Sequence, residues 1–136
     1  MPFVLDASVA ACWAFEDVDH PVAALALERV RADEACVPSL WWFEVRNTLI
    51  VNERRGRLTE SDTTAFLRAL ARLNIAVDRS PDEADVLMLA RRRRLTVYDA
   101  AYLELARREG VPLATLDTAL AAAARAERAP LLGEPR

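Results

Sequence analysis

The sequence predicts a three-layer α/β/α domain built on a mostly parallel sheet of four to five strands. Three observations carry this prediction. Short apolar runs alternate with longer stretches of helical periodicity from one end of the chain to the other. Alternation of that kind, with apolar strands, is the pattern of a parallel sheet covered on both faces. Finally, 136 residues with 53% hydrophobic content suffice for a real core, and no repeat, low-complexity tract or linker divides them. A single domain over residues 1–136 is therefore expected.

Each element has a local reason. Phe3, Val4 and Leu5 lead into Asp6 as a first strand, and helical pattern follows over 8–15. A polar turn over 16–21 precedes a second helix, 22–31, and residues 35–37 before Pro38 form a second strand. A long helix over 40–55 stops at Gly56. Thr59 is placed to cap a helix reaching 72, residues 75–77 form a third strand, and Ser80-Pro81 opens a helix through 91. Thr96 caps a helix over 97–109 that Gly110 ends; 111–114 is the fourth strand. An alanine-rich helix follows Thr118, and 129–132 is the candidate fifth strand.

Composition removes several chemistries. The chain has no lysine, one histidine (His20) and three glycines, none in a Gly-rich turn after a strand. A phosphate-binding P-loop and a dinucleotide fold are thereby excluded. Cys12 and Cys36 lack the spacing of a zinc or redox pair and read as buried free thiols. No apolar run is long enough to span a bilayer and the start does not resemble a signal peptide, so a cytoplasmic protein without membrane contact is expected. Net charge is −3, but all 18 basic residues are arginine and they cluster, as in the run Arg91 to Arg94, so nucleic acid is not excluded.

Four acids stand out: Asp6, Glu44, Asp99 and Asp117. Asp6 ends the first strand, and Asp117 lies just past the fourth, at the carboxyl edge where ligands of parallel sheets bind. Rotation at about 100° per residue places Glu44 and Asn47 among Leu40, Phe43, Ile50 and Val51, taken as the core face of the long helix. The same rotation turns Asp99 inward beside Tyr102 and sends Glu104, Arg107 and Arg108 outward. Each acid has a plain alternative. Asp6 and Asp117 can cap helices, Glu44 can pair with an arginine at a rim, and Thr96 to Asp99 has the spacing of a capping box. Read together, four acids near one sheet edge suggest a divalent metal site, with Ser8 and Thr115 as supporting oxygen donors.

The segments FVLDASV, PSLWWFEVRNTL, LTVYDAAYLELA and GVPLATLDTALAAAA, in this order, resemble PIN-domain ribonucleases, and within them the VapC toxins of bacterial toxin–antitoxin pairs. The resemblance implies a PIN-like fold and a metal-binding catalytic cluster at Asp6, Glu44, Asp99 and Asp117, with Ser8, Asn47 and Thr115 in support. It also implies Mg²⁺, with Mn²⁺ as a substitute, and hydrolysis of RNA to 5′-phosphate and 3′-hydroxyl ends. As partners it implies an RNA substrate, a VapB-like antitoxin and a second copy in a homodimer. A second apolar stripe, Trp41, Trp42, Val45 and Leu49, together with Trp13, supplies candidate surfaces for the protein partners. The rival readings are a receiver-like Mg²⁺-binding signalling domain and a non-catalytic RNA-binding module. The first wants a second acid beside Asp6 and a late lysine, and the chain has neither.

Overall fold

A computed structural model describes residues 1–17 and 19–135. Four parallel strands, β1 (Phe3–Leu5), β2 (Ala35–Pro38), β3 (Ile75–Asp78) and β4 (Leu113–Ala114), form one sheet in the order β3-β2-β1-β4. The helices are α1 (Ala7–Cys12), α2 (Pro21–Ala32), α3 (Leu40–Arg54), α4 (Glu60–Leu70), α5 (Glu83–Arg93), α6 (Val97–Glu109) and α7 (Thr118–Ala126). One group, α1 with α2 and α3, packs together; α6 packs with α5 and α7 and lies over β1 and β2. Covered in this way, β1 is inaccessible along its whole length, which explains why its sequence shows no polar alternation.

The topology places the site. From β1 the chain steps outward through β2 to β3, then crosses back to β4 on the other side of β1. Connections therefore leave β1 and β4 in opposite directions, and the crevice beyond their carboxyl ends is the switch point where such sheets bind ligands. Asp6 follows β1 directly, and Thr115 to Asp117 follow β4.

Most local expectations hold. Thr59 caps α4 in a reciprocal box with Asp62, and Thr96 caps α6. Gly110 ends α6 at φ +66, a left-handed position that costs a residue with Cβ more than glycine. Two corrections concern boundaries and a third concerns burial. The stretch 129–132 contributes one bridge, Leu113 to Leu131, rather than a strand, because the chain turns away immediately. Helix α5 starts at Glu83, not at Pro81, because the Asp82 side chain accepts from Asp85 N and fixes the start there. Both cysteines are free but only half-buried.

Two corrections concern faces. The buried side of α3 is Trp41, Val45, Leu49 and Asn52, while Phe43 is 69% exposed, Ile50 is 40% exposed and Asn47 is exposed. Apart from Trp42, the stripe read as surplus is thus the core, whereas in the stripe read as core Phe43 and Ile50 are exposed and Leu40 and Val51 only half-buried. Residues 41, 45 and 49 recur at i, i+4 and i+8, and they form the side that α3 buries as it packs on α1. Asn52 tolerates burial because its amide donates to Thr48 O and accepts from Arg57. Of the proposed partner aromatics, only Trp42 remains exposed, edge-on to Phe43 with Arg46 over its ring; Trp13 donates its indole N–H to Ala23 O. The other face correction is Glu104, which is 2% exposed rather than outward, because α5 packs across that side of α6.

Candidate active site

Asp6 is fixed first by the sheet. Its N–H donates to Ala114 O at 3.0 Å, so pairing with β4 continues one residue beyond β1. The residue stands at the N-cap of α1, yet its side chain makes no cap bond. Instead Ser8 Oγ and Thr115 Oγ1 each donate to Asp6 Oδ2 at 2.7 Å. Those hydroxyls are themselves held, Ser8 Oγ by Leu116 N and Thr115 Oγ1 by Asp117 N, both at 3.0 Å. Hydroxyl and backbone donors thus bind the start of α1 to the β4–α7 connection around one buried carboxylate.

Three more acids reach the same edge. Glu44 sits half-buried on the shoulder of α3, and Tyr102 OH donates to its Oε1 at 2.6 Å. Asp99 occupies the first turn of α6, where its N–H donates to Thr96 Oγ1 at 3.0 Å. Only that half of a capping box forms; the Asp99 carboxyl turns instead to hydrogen-bonding reach of Asp117. Asp117 does cap α7, its Oδ1 accepting from Ala119 N at 3.2 Å, so capping and membership of the group are compatible. Asn47 joins no hydrogen bond of this network and lies on the exposed side of α3. Tyr102 is the residue that sequence reading missed, because a tyrosine on an inward helix face reads simply as core.

The acids sense one another. Burial pushes the Asp6 carboxyl up, Ser8 and Thr115 pull it partly back, and Asp117 adds to the rise. Burial likewise raises Glu44, against the Tyr102 hydrogen bond and with help from Asp6. Asp99 is pushed up to about 6, by burial first and then by Asp117 and Asp6. Among the described residues none of the four forms an ion pair, whereas arginines bind Asp78, Glu104, Glu127 and Glu134. What eases the repulsion is neutral: hydroxyl donors, and the amino ends of α1, α6 and α7 with their positive dipole ends.

The PIN-domain family model matches residues 3–126, a span that contains all four acids. The chain belongs to the PIN-domain family. Ribonuclease VapC3 of Pyrobaculum aerophilum is 36% identical over 124 residues, covering 89% of this chain and 93% of that protein. The crystal structure of PAE2754 from Pyrobaculum aerophilum matches this PIN domain with a TM-score of 0.72 and 25% identity, over 90% of this chain and 84% of the other. Mycobacterium tuberculosis VapC20, a sarcin-ricin loop cleaving toxin, shares the fold at a TM-score of 0.61 and 15% identity, over 89% and 94% of the two chains.

The donor set of this PIN domain fits a hard divalent cation. Among the described residues no three acidic, histidine or cysteine groups converge closely enough to clasp an ion by themselves. Mg²⁺ does not require that, since it keeps several waters and binds proteins through one or two carboxylates. The fit rests on chemistry: oxygen donors only, gathered from four separate segments, with excess negative charge and, among the described residues, no arginine paired with it.

Proposed function

We propose that this PIN domain is a metal-dependent endoribonuclease of the VapC toxin type, held in check by a VapB-like antitoxin. The observation that carries the reading is the gathering of Asp6, Glu44, Asp99 and Asp117 at the β1/β4 crevice with no counter-charge among the described residues. An uncompensated group of carboxylates, one buried and three half-buried, is costly unless a cation joins it. These four would hold Mg²⁺, or Mn²⁺ in its place. Bound there, the cation supplies a more acidic water for attack on phosphorus and neutralises charge on the phosphate.

The side chains of this chain have separable tasks in that reading. Ser8 and Thr115 orient Asp6, and Asp117 fixes the entry to α7 while adding charge to the group. The amino ends of α6 and α7 favour an anionic substrate at the same edge. RNA is the substrate, as the name of the relative Ribonuclease VapC3 suggests. The antitoxin and a second copy would use apolar residues left outside on α3, namely Trp42, Phe43 and Ile50. Action in the cytoplasm is part of the same proposal. Among the described residues no helix is long and apolar enough to cross a membrane.

The test is cleavage of a structured RNA by the purified protein, freed of any antitoxin, with Mg²⁺ or Mn²⁺. Cleavage that leaves 5′-phosphate and 3′-hydroxyl ends, stops on chelation and returns with metal is the expected result. Cleavage that persists under chelation and in Asp6→Ala would defeat the assignment.

A further inference from the structure

One side-chain contact ties Glu44 to the rest of the site. Tyr102 OH donates to Glu44 Oε1 at 2.6 Å, joining α6 to α3 across 58 residues of sequence. Tyr102 is 0% exposed and lies three residues beyond Asp99 on α6. Glu44 has no such enclosure. It stands between the buried stripe of Trp41, Val45 and Leu49 and the exposed Phe43 and Asn47. From a helix shoulder a flexible glutamate can swing into solvent, where its charge is best hydrated. The nearby Asp6 carboxylate favours that swing by repulsion. A tyrosine packed on all sides has few torsions and no room, so its hydroxyl is a fixed point.

We propose that Tyr102 is a positioning residue that pins Glu44 Oε1 inside the acid group and thereby presents Glu44 Oε2 to the cation. Oε2 accepts no hydrogen bond among the described residues. The inference rests on the cation-dependent reading of this site. Satisfying a buried phenol does not by itself call for a carboxylate at position 44. A buried tyrosine hydroxyl needs an acceptor, but a neutral amide would serve without setting another negative charge beside Asp6. The arrangement also repeats, since Asp6 is held through one oxygen by the neutral hydroxyls of Ser8 and Thr115. Neutral donors orient a carboxylate while leaving its charge for a cation. An arginine would cancel that charge.

Outer partners of this kind typically govern metal affinity by about 10–100-fold. Tyr102→Phe removes one hydroxyl and no ring volume, so the fold is retained. Calorimetric titration of Mn²⁺ into the RNA-free protein should show binding about tenfold weaker or more in Tyr102→Phe than in wild type. In a Glu44→Ala background the same substitution should change Mn²⁺ affinity no further, because the hydroxyl acts only through Glu44. Wild-type affinity in Tyr102→Phe overturns the role of Tyr102 while leaving the nuclease reading in place. Equal weakening in both backgrounds also overturns it, by showing a general packing effect. Wild-type protein that takes up no Mn²⁺ brings down the inference and the cation-dependent reading together.

Discussion

Helix α6 carries a buried acid in its carboxyl-terminal half and a half-buried one in its first turn, and the two are housed in opposite ways. Glu104 accepts from Arg108 Nε at 2.7 Å and Nη2 at 3.1 Å and from Asp82 N at 3.2 Å, and the same arginine reaches Asp78 at 2.8 Å. That carboxylate is neutralised by its own helix, four residues on. Asp99, in the first turn, meets Asp117, Asp6 and Glu44 instead, with Tyr102 and Thr96 as neutral neighbours. Burial is therefore not what distinguishes a candidate site here. What distinguishes it is that no counter-charge meets it among the described residues, and Glu127, claimed by Arg92 and Arg93, falls on the structural side with Glu104.

The sharpest way to separate the two ends is to remove a charge from each. Asp6→Ala or Asp99→Asn should abolish RNA cleavage while circular dichroism and the unfolding midpoint show a folded protein, since each relieves repulsion. Arg108→Ala should do the reverse. It strands Glu104, and denaturant unfolding should show a loss of about 2–3 kcal/mol, at the low end for a buried pair because Arg108 is partly exposed. Where the protein remains folded, its cleavage rate should be unchanged. A catalytic defect in Arg108→Ala without unfolding would erase the distinction between the two ends.

Cation binding should stabilise one end only. At Mg²⁺ one hundredfold above its dissociation constant, the gain in unfolding free energy should be about 2.7 kcal/mol. That gain should persist in Arg108→Ala and vanish in Asp6→Ala. Proton uptake gives a gentler version of the same contrast. The folded Asp99 carboxyl titrates at about 6 against an ordinary 3.8, so between those values the folded protein holds a proton that the unfolded chain has released. Its ionisation thus opposes folding increasingly as pH rises from about 4 to 6, and fully above 6. In metal-free protein, wild-type stability relative to Asp99→Asn should fall across that window and then level off. A difference that rises with pH instead would mean that Asp99 has a cationic partner. The smallest effect belongs to Asn47→Ala, exposed and outside the network, which should shift stability by no more than about 0.5 kcal/mol.

The sequence made the fold legible where a single feature had one structural meaning. Apolar runs closed by Asp6 or Pro38 read as strands in an alternating chain, and the helical stretch closed by Gly110 had a clear end. Asp6 and Asp117 were legible for the same reason, since position at a strand end survives any error in rotation. Helix faces were harder. Helix α3 carries two apolar stripes, and periodicity says that a stripe exists without saying which one its neighbours cover; rotation alone therefore puts Phe43, Asn47 and Ile50 inside and Trp41 outside, the reverse of the structure. Glu44 lies on the shoulder between the stripes, so its position survived that inversion. Glu104 escapes the same rotation because α6 is covered on more than one side, which a single buried face cannot represent. Tyr102 was hidden by its own chemistry, being apolar enough for a core and polar enough to hold Glu44.

The most direct measurement is anomalous diffraction from crystals of this PIN domain grown or soaked with Mn²⁺. One or two anomalous peaks are expected at the β1/β4 crevice, within coordinating distance of Asp6 and Asp99, and none beside Glu104 or Glu127. Mn²⁺ found at those arginine-bound acids, or absent from the crevice at saturating concentration, would contradict the cation-dependent reading.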